Sequence, residues 1–133
     1  MSTLVLRIKR DQPLLLNGVL MQVTERGAVL VLKSRARFVH SHKYMPEADA
    51  TTPAKRLYYA VQQAYAGGDH LDTAAMLDAV TRFRREATNR MLGDSDAADA
   101  MDELEASAKS QDGYQALRQA RALVLAEEAQ AHV

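Results

Sequence analysis

The sequence of 133 residues contains no cysteine, which excludes disulfide bonds, cysteine nucleophiles and thiolate metal sites. It also lacks long apolar runs. The longest, such as residues 28–32 and 122–126, are far shorter than the ~20 residues that span a bilayer. The first ten residues lack the apolar stretch of a secretory signal. We therefore expect a cytoplasmic protein that does not enter the membrane.

Motifs for catalysis are missing as well. The chain has no G-x-x-x-x-G-K-[ST] phosphate loop, and no serine lies in a nucleophile elbow. His40 and His42 have the spacing that puts two imidazoles on one face of a strand, but no third metal ligand follows at a recognisable spacing. The sequence therefore predicts a protein that is not an enzyme and that uses neither a metal nor an organic cofactor.

The net charge is zero, but the two halves of the chain differ in sign. Residues 1–56 contain ten Lys/Arg and four Asp/Glu, a net charge of +6, whereas residues 57–133 contain seven and thirteen, a net charge of −6. A basic half of this kind favours contact with nucleic acid. The same asymmetry would also draw the two halves together, or two copies of the chain into a homo-oligomer.

The first forty residues have the pattern of short β-strands. Leu4, Leu6 and Ile8 recur with a period of two, and Asn17-Gly18 between apolar segments is typical of a hairpin turn. Turns about every ten residues indicate an antiparallel sheet or small barrel. Strands are predicted at residues 4–9, 14–16, 19–24, 28–32 and 35–39.

The remainder of the chain has helical periodicity after a polar linker at residues 40–52. Thr52-Pro53 supplies an N-cap and a first-turn proline, and Gly67-Gly68 ends that helix. Asp69 is predicted to cap a second helix, which Gly93 ends. Residues 94–109 form a third, acidic helix, and a final helix of about 17 residues has a stripe marked by Tyr114, Leu117, Val124 and Leu125, interrupted by Arg121.

These elements predict an α+β fold, with a small N-terminal antiparallel β-sheet or barrel followed by a bundle of three to four helices. We expect a basic β subdomain at residues 1–45 and an acidic helical subdomain at residues 46–133, joined into one cooperative unit. Leu57, Val61 and Tyr65 are predicted to pack the first helix against the sheet.

The bases of the β region form the candidate binding surface. If Leu6 and Ile8 face the core, Arg7 faces solvent, and Arg37 is predicted to oppose Phe38 in the same way. Exposed bases bind a phosphate backbone by displacing its counterions, whereas aromatic residues for base stacking are scarce here. The predicted RNA-binding residues are Arg7, Lys9, Arg26, Lys33, Arg35 and Arg37, extended by Lys43, Lys55 and Arg56. Alternatively, this face only keeps an antiparallel sheet soluble.

Four segments, in order and over nearly the whole chain, resemble the FlbT family of flagellum-biosynthesis repressors. They are LVLRIK at residues 4–9, LLLNGV at 14–19, TPAKRLYYAVQ at 52–62 and GYQALR at 113–118. The resemblance implies a post-transcriptional repressor that associates with the 5′ untranslated region of flagellin mRNA and promotes its degradation or blocks its translation. It also implies work alongside a FlaF-like regulator.

Two hypotheses follow. In the first, the β region holds the flagellin mRNA leader and the helices bind a protein partner. In the second, the chain is an adaptor or chaperone-like protein whose helical half binds flagellin or a FlaF-like protein, so that its effect on mRNA is indirect. Only the first predicts that purified protein binds RNA on its own, with an affinity that falls steeply as salt rises.

Overall fold

The computed structural model describes residues 4–87 and 89–131, which form five strands followed by five α-helices. The strands are β1 (Leu4–Ile8), β2 (Pro13–Leu16), β3 (Val19–Gln22), β4 (Ala28–Leu32) and β5 (Phe38–His40). The helices are α1 (Pro53–Ala66), α2 (Thr73–Glu86), α3 (Asn89–Leu92), α4 (Ser95–Lys109) and α5 (Gly113–Ala131). The predicted α+β class is confirmed, with one more short helix, α3, than expected.

The strands form two small antiparallel sheets. One is the β1–β4 ribbon, and the other has the strand order β3–β2–β5. The β2–β3 hairpin turns at Asn17 and Gly18, whose φ values of 46° and 88° are both positive, as the predicted Asn-Gly turn requires. Gly18 also lies against the end of α1, where a Cβ would come within 3.2 Å of the Gly67 carbonyl oxygen. The turn therefore fixes the hairpin and its approach to the helices.

Helix α1 connects the sheet to the helical core. Thr52 caps it by accepting a hydrogen bond from the Lys55 backbone N–H, as predicted. Leu57 and Val61 are buried in the same apolar cluster as Leu15 and Val39 of the sheet, with Tyr65 half-buried beside them. The predicted packing of α1 against the sheet is confirmed. A second, smaller cluster surrounds Leu6, Ile8 and Leu14 on the other side of the β region.

Two predictions of helix boundaries were wrong. Asp72, not Asp69, caps α2, and its carboxylate accepts the Ala75 backbone N–H at 3.0 Å. The Asp72 N–H in turn donates to the Ala64 carbonyl at 2.9 Å, so contact with the end of α1 selects this cap. Helix α2 also ends at Glu86, before Gly93, because the backbone at Ala87 is extended.

The predicted stripe of α5 is only partly buried. Tyr114 and Leu125 are each 54% exposed, whereas Leu117 and Val124 are buried. The remainder of the buried face consists of small residues and one leucine: Gly113, Ala116, Ala120 and Leu123. Alanine side chains let α5 lie close to its neighbours, and a search for large apolar residues does not detect them.

The far end of α5 caps the start of α1. The Glu127 carboxylate accepts the Ala54 backbone N–H at 3.0 Å and the Thr52 hydroxyl. It thereby satisfies a donor at a helix N-terminus that has no partner inside the helix. Hydrogen bonds to a carboxylate of this kind are charge-assisted.

Glu127→Ala is expected to lower the free energy of unfolding by about 1–3 kcal/mol, since the buried Ala54 N–H loses its acceptor. Glu128→Ala, an exposed neighbour on the same helix, is the matched control and should stay within about 0.5 kcal/mol of the parent. Urea denaturation of the three proteins provides the measurement. Equal midpoints for the two variants would show that the Glu127 cap contributes nothing.

Candidate nucleic-acid interface

The outer face of the β1–β4 ribbon is apolar with a single base. Arg7 projects into solvent from β1, as its parity predicts. The same face presents Val5, Val29 and Val31, which are each about half-exposed, with Val5 opposite Val31 and Arg7 opposite Val29. The predicted cationic sheet face is therefore wrong, because valines occupy the outward positions of β4.

Four other predicted bases lie at the two ends of this ribbon. Lys9 follows β1 and Arg26 lies in the turn before β4, which places both at one end because Ile8 pairs with Ala28. Lys33 and Arg35 follow β4 at the opposite end of the ribbon, which is roughly 14 Å long at a rise of about 3.4 Å per residue. All four are exposed, and none forms an ion pair with an acid in the described part of the chain.

Arg37 is not a free surface base, so its predicted solvent-facing position is wrong. Strand β5 begins only at Phe38, and the Arg37 side chain turns toward the end of α1. Its Nε donates to the Tyr65 carbonyl at 2.8 Å, and a terminal nitrogen donates to the Asp69 carbonyl. Its backbone N–H donates to the Asn17 side chain at 3.1 Å. Arg37 therefore satisfies one carbonyl that the C-terminus of α1 leaves unpaired and one in the loop that follows.

Arg37→Ala is expected to cost about 1–3 kcal/mol of unfolding free energy, because two carbonyls near the end of α1 lose a charged donor. Arg35→Ala, which removes an exposed base two residues away, should change stability by less than about 0.5 kcal/mol. Thermal and urea unfolding of both variants would measure this. Indistinguishable stabilities would contradict the structural role of Arg37.

The two predicted bases of α1 differ in their partners. Arg56 donates from Nε and a terminal nitrogen to Glu86 of α2, at 3.0 and 2.9 Å, so it joins two helices. The Lys55 side chain has no ion pair among the described residues and lines a surface cleft. Of the two, only Lys55 is available to a ligand without breaking an existing pair.

The segment predicted as a linker is fixed against α1. It contains the 3₁₀ turns Ser41–Lys43 and Glu47–Asp49. The Met45 N–H donates to the side-chain oxygen of the fully buried Gln62 at 2.8 Å, and the Gln62 amide donates back to the Met45 carbonyl at 2.9 Å. The buried Tyr58 hydroxyl donates to the Lys43 carbonyl. The linker prediction is therefore wrong, because polar side chains of α1 hold this backbone in place.

An open cleft lies where this segment meets α1 and α5. It has a volume of about 340 Å³, and a second cavity of about 310 Å³ adjoins it. The two cavities share Lys43, Tyr58 and Arg121. We call them together the linker cleft. Its basic side chains are His42, Lys43, Lys55, Arg118 and Arg121, and its one acidic lining residue is Asp49.

The linker cleft has an excess of positive charge, which influences the pKa values of two neighbouring side chains. Burial raises the pKa of the Tyr58 phenol, and the charge of Arg121 and its hydrogen bond oppose that rise. His40 is the first residue of the segment, and its pKa is lowered first by burial and then by the charges of Lys43 and His42. Burial is the largest cause of both pKa shifts, and nearby cations make a smaller contribution.

The sequence did not predict Tyr114, Arg118 and Arg121 as candidate site residues. They recur at i, i+4 and i+7 on α5 and line the linker cleft or its adjoining cavity. One signal was present, because Arg121 interrupts an otherwise apolar stripe. The partner elements could not be identified from that signal, since Lys43 and Lys55 lie more than 60 residues earlier in the chain.

The His40-x-His42 pair does not form a strand-face metal site. Ser41 between them has a φ of 59°, which breaks the alternation of side chains. The His40 ring bonds to the Ser41 hydroxyl at 2.9 Å and lies beside Phe38, with centroids 5.8 Å apart. Across residues 4–87 and 89–131, no three His, Asp or Glu side chains gather as a metal site. No helix in those ranges is both long and apolar enough to span a bilayer.

Comparison with known proteins identifies relatives of the chain. A family model described as "Flagellar protein FlbT" matches residues 4–130. The "Probable flagellum biosynthesis repressor protein FlbT" of Caulobacter sp. (strain K31) is 37% identical over 62 residues, 47% of this chain and 47% of that protein. The "Flagellum biosynthesis repressor protein FlbT" of Caulobacter vibrioides (strain ATCC 19089) is 34% identical over 62 residues, 47% and 44% of the two chains. The chain thus spans less than half the length of these curated relatives. No solved structure matches it.

Proposed function

Because the chain belongs to the FlbT family of flagellar proteins, we propose that it represses flagellum biosynthesis after transcription. In this proposal it binds the 5′ untranslated region of flagellin mRNA in the cytoplasm and promotes degradation of the message or blocks its translation. It acts by binding and not by catalysis, and it needs no metal or cofactor to do so. The relatives whose names include "repressor" support the direction of the effect.

One observation carries the RNA-binding part of the proposal. Seven of the nine predicted bases have side chains with neither an ion pair nor a hydrogen bond in the described ranges, whereas Arg37 donates to carbonyls and Arg56 pairs with Glu86. The seven are Arg7, Lys9, Arg26, Lys33, Arg35, Lys43 and Lys55. Unpaired cations contribute little to folding, whereas each can displace a counterion from a phosphate.

The spacing of these bases suits an extended strand better than a compact anion. Lys9 and Arg26 are separated from Lys33 and Arg35 by more than the roughly 14 Å length of the β1–β4 ribbon. A single phosphate cannot reach both groups, whereas the backbone of a single-stranded RNA can. The acidic residues are concentrated in residues 57–133, which contain thirteen of the seventeen. They would repel phosphate and so restrict RNA to the basic surfaces.

The test in cells is ultraviolet crosslinking, followed by purification of the chain and sequencing of the RNA bound to it. The proposal predicts that flagellin leader sequences are enriched over their abundance in total RNA. A matched strain that expresses Lys33→Glu with Arg35→Glu should lose most of that enrichment at equal protein level. Recovery of RNA in proportion to abundance alone would contradict leader binding.

A second candidate function, the protein-binding adaptor, is favoured by a different observation. The β region exposes many apolar side chains, with Leu20 at 57% and Val29 at 56%. Patches of this kind mark protein contact surfaces. The partner was predicted to bind the helices, but these residues favour the β region as the docking surface for flagellin or a FlaF-like protein.

The adaptor function predicts that Val29→Lys abolishes association with a purified FlaF-like protein, whereas RNA binding does not weaken. Arg7→Gln, opposite Val29 on the same face, is the matched control. If association persists in Val29→Lys, the apolar face is not the docking surface.

A further inference from the structure

We infer that the linker cleft binds nucleotide units of single-stranded RNA, with a base stacked on Tyr114 and phosphates held by Arg118, Arg121 and Lys43. This inference rests on the proposed function, because it assigns a second contact region to the same RNA. The bases of the β1–β4 ribbon would follow the RNA backbone, and the linker cleft would contact its bases.

The chemistry of a nucleotide matches the side chains that α5 presents. A nucleotide combines a planar base with an anionic phosphate, so its site needs an aromatic face close to a cation. Tyr114, Arg118 and Arg121 lie on one side of α5 on successive turns, which are about 5.4 Å apart along the axis. Lys43 faces them from the opposite wall. One aromatic ring is therefore followed by two cations along this side of α5.

Arg121 bonds to the buried Tyr58 phenol, but folding does not explain Tyr114, Arg118 and Lys43. Tyr114 is 54% exposed and lies outside the buried cluster of the helices. Among the described residues, the Arg118 side chain bonds only to the Gln115 side chain, at 3.1 Å, one turn earlier on its own helix. Neither Arg118 nor Lys43 forms an ion pair within residues 4–87 and 89–131. An exposed ring beside unpaired cations contributes little to stability, which is the arrangement expected of a binding surface.

The opposite wall of the linker cleft is rigid, whereas its mouth is open. Buried Gln62 and Tyr58 hold the backbone at Met45 and Lys43, so the positions of these walls do not depend on a ligand. The two cavities, of about 340 and 310 Å³, each fall in the range of roughly 300–1,000 Å³ that holds small organic ligands. Each has room for one nucleotide-sized group, and an open cleft lets a strand pass through.

The discriminating probe is a pair of RNA strands. One is a short oligonucleotide from the flagellin leader, and the other is an abasic ribose-phosphate strand of equal length and charge. The wild-type chain is expected to bind the normal strand about tenfold more tightly, the effect of one stacked base. Tyr114→Ala should abolish that preference, whereas Tyr114→Phe, which keeps the ring, should retain it. Unchanged preference in Tyr114→Ala would overturn the stacking assignment.

The cationic part is tested with Arg118→Gln, matched by Arg85→Gln, which removes an equally exposed arginine from α2. We expect a severalfold loss of affinity for both strands in Arg118→Gln and none in Arg85→Gln. Circular dichroism and urea midpoints establish that all variants are folded. Equal affinities in the two variants would place the phosphate contacts elsewhere.

The remaining outcomes concern the identity of the ligand. Free adenosine monophosphate should compete with the leader strand only at far higher concentration, so tighter binding of the mononucleotide than of RNA would overturn the assignment to a strand. An oligoglutamate peptide is a competitor that carries negative charge but no bases. If it displaces the leader RNA as effectively as the abasic strand does, this would support contact by charge at the phosphate positions. If the peptide displaces the leader RNA as effectively as the normal strand does, base stacking would be overturned.

Failure of this inference is distinguishable from failure of the proposed function. If wild-type protein binds no leader RNA, both fail. If it binds leader RNA, loses affinity in Lys33→Glu with Arg35→Glu, and yet shows no preference over the abasic strand, only the linker cleft is excluded. Crosslinking with 4-thiouridine RNA adds a positional readout, because the inference predicts an adduct on the peptide that contains Tyr114.

Discussion

Reversing two bases at one end of the β1–β4 ribbon, with Lys33→Glu and Arg35→Glu together, is expected to weaken binding to the flagellin leader RNA by about tenfold or more. Both side chains are exposed and have no ion pair in the described part of the chain, so phosphate is free to contact them. Loss of two contacts should make the log–log salt dependence shallower by about 1.4, at roughly 0.7 per phosphate on a single strand. Fluorescence anisotropy at several salt concentrations measures both quantities.

The matched control is Arg82→Glu with Arg85→Glu on α2. These arginines are also exposed and have no ion pair in the described ranges, and the double change alters net charge by the same amount. If RNA binds the basic surface of the β region, this control should leave affinity nearly unchanged. Equal losses in the two double variants would mean that only net charge matters, and the localised surface would be wrong.

Leu57→Ala is expected to lower the free energy of unfolding by about 2–5 kcal/mol. Leu57 is 3% exposed and shares a cluster with Leu15 and Val39 of the sheet and Phe83 of α2. The change removes buried methyl groups and leaves a cavity between the sheet and the helices. The lost apolar burial and the new cavity both lower the free energy of unfolding. Urea denaturation followed by circular dichroism provides the value.

Leu125→Ala serves as the control, since the same truncation occurs at a side chain that is 54% exposed. It should change stability by less than about 0.5 kcal/mol. If Leu57→Ala also unfolds the sheet and helices in a single transition, the predicted cooperative unit gains support. Two separate transitions in the parent protein would contradict that prediction.

Features determined by neighbouring residues could be predicted from the sequence. The Asn17-Gly18 turn, the Thr52-Pro53 helix start and the burial of Leu6 and Ile8 follow from local backbone preferences and side-chain alternation. The order of strands and helices follows from the same rules. These features together were sufficient to predict an α+β fold.

Features determined by distant partners could not be predicted from the sequence. Arg37 reaches carbonyls about 30 residues away, and Glu127 caps a helix that begins more than 70 residues earlier. Such pairs depend on how the elements pack, so charge and parity alone cannot distinguish Arg37 from Arg35. The linker cleft is the same case, because Lys43, Lys55 and Arg121 come from three separate segments.

The alternation rule also failed where one residue interrupts it. Prediction of a strand over residues 35–39 placed Arg35 and Arg37 on one face. Strand β5 begins only at Phe38, so neither arginine lies in a sheet and side-chain alternation does not apply to them. The left-handed φ of Ser41 separates His40 from His42 for a similar reason. In both places the residues have the spacing of a strand, but the backbone there is not that of a continuous strand.

The most direct test of the central claim is titration of flagellin leader RNA with the purified chain alone, repeated as salt rises. Four phosphate contacts, the number of exposed bases at the two ends of the β1–β4 ribbon, are the minimum and predict a log–log slope of about −3 or steeper, on the order of tenfold or more in affinity for each threefold rise in salt. An unrelated leader of equal length should bind more weakly. Binding that requires an added partner protein, or a slope near zero, would contradict direct RNA recognition and favour the adaptor.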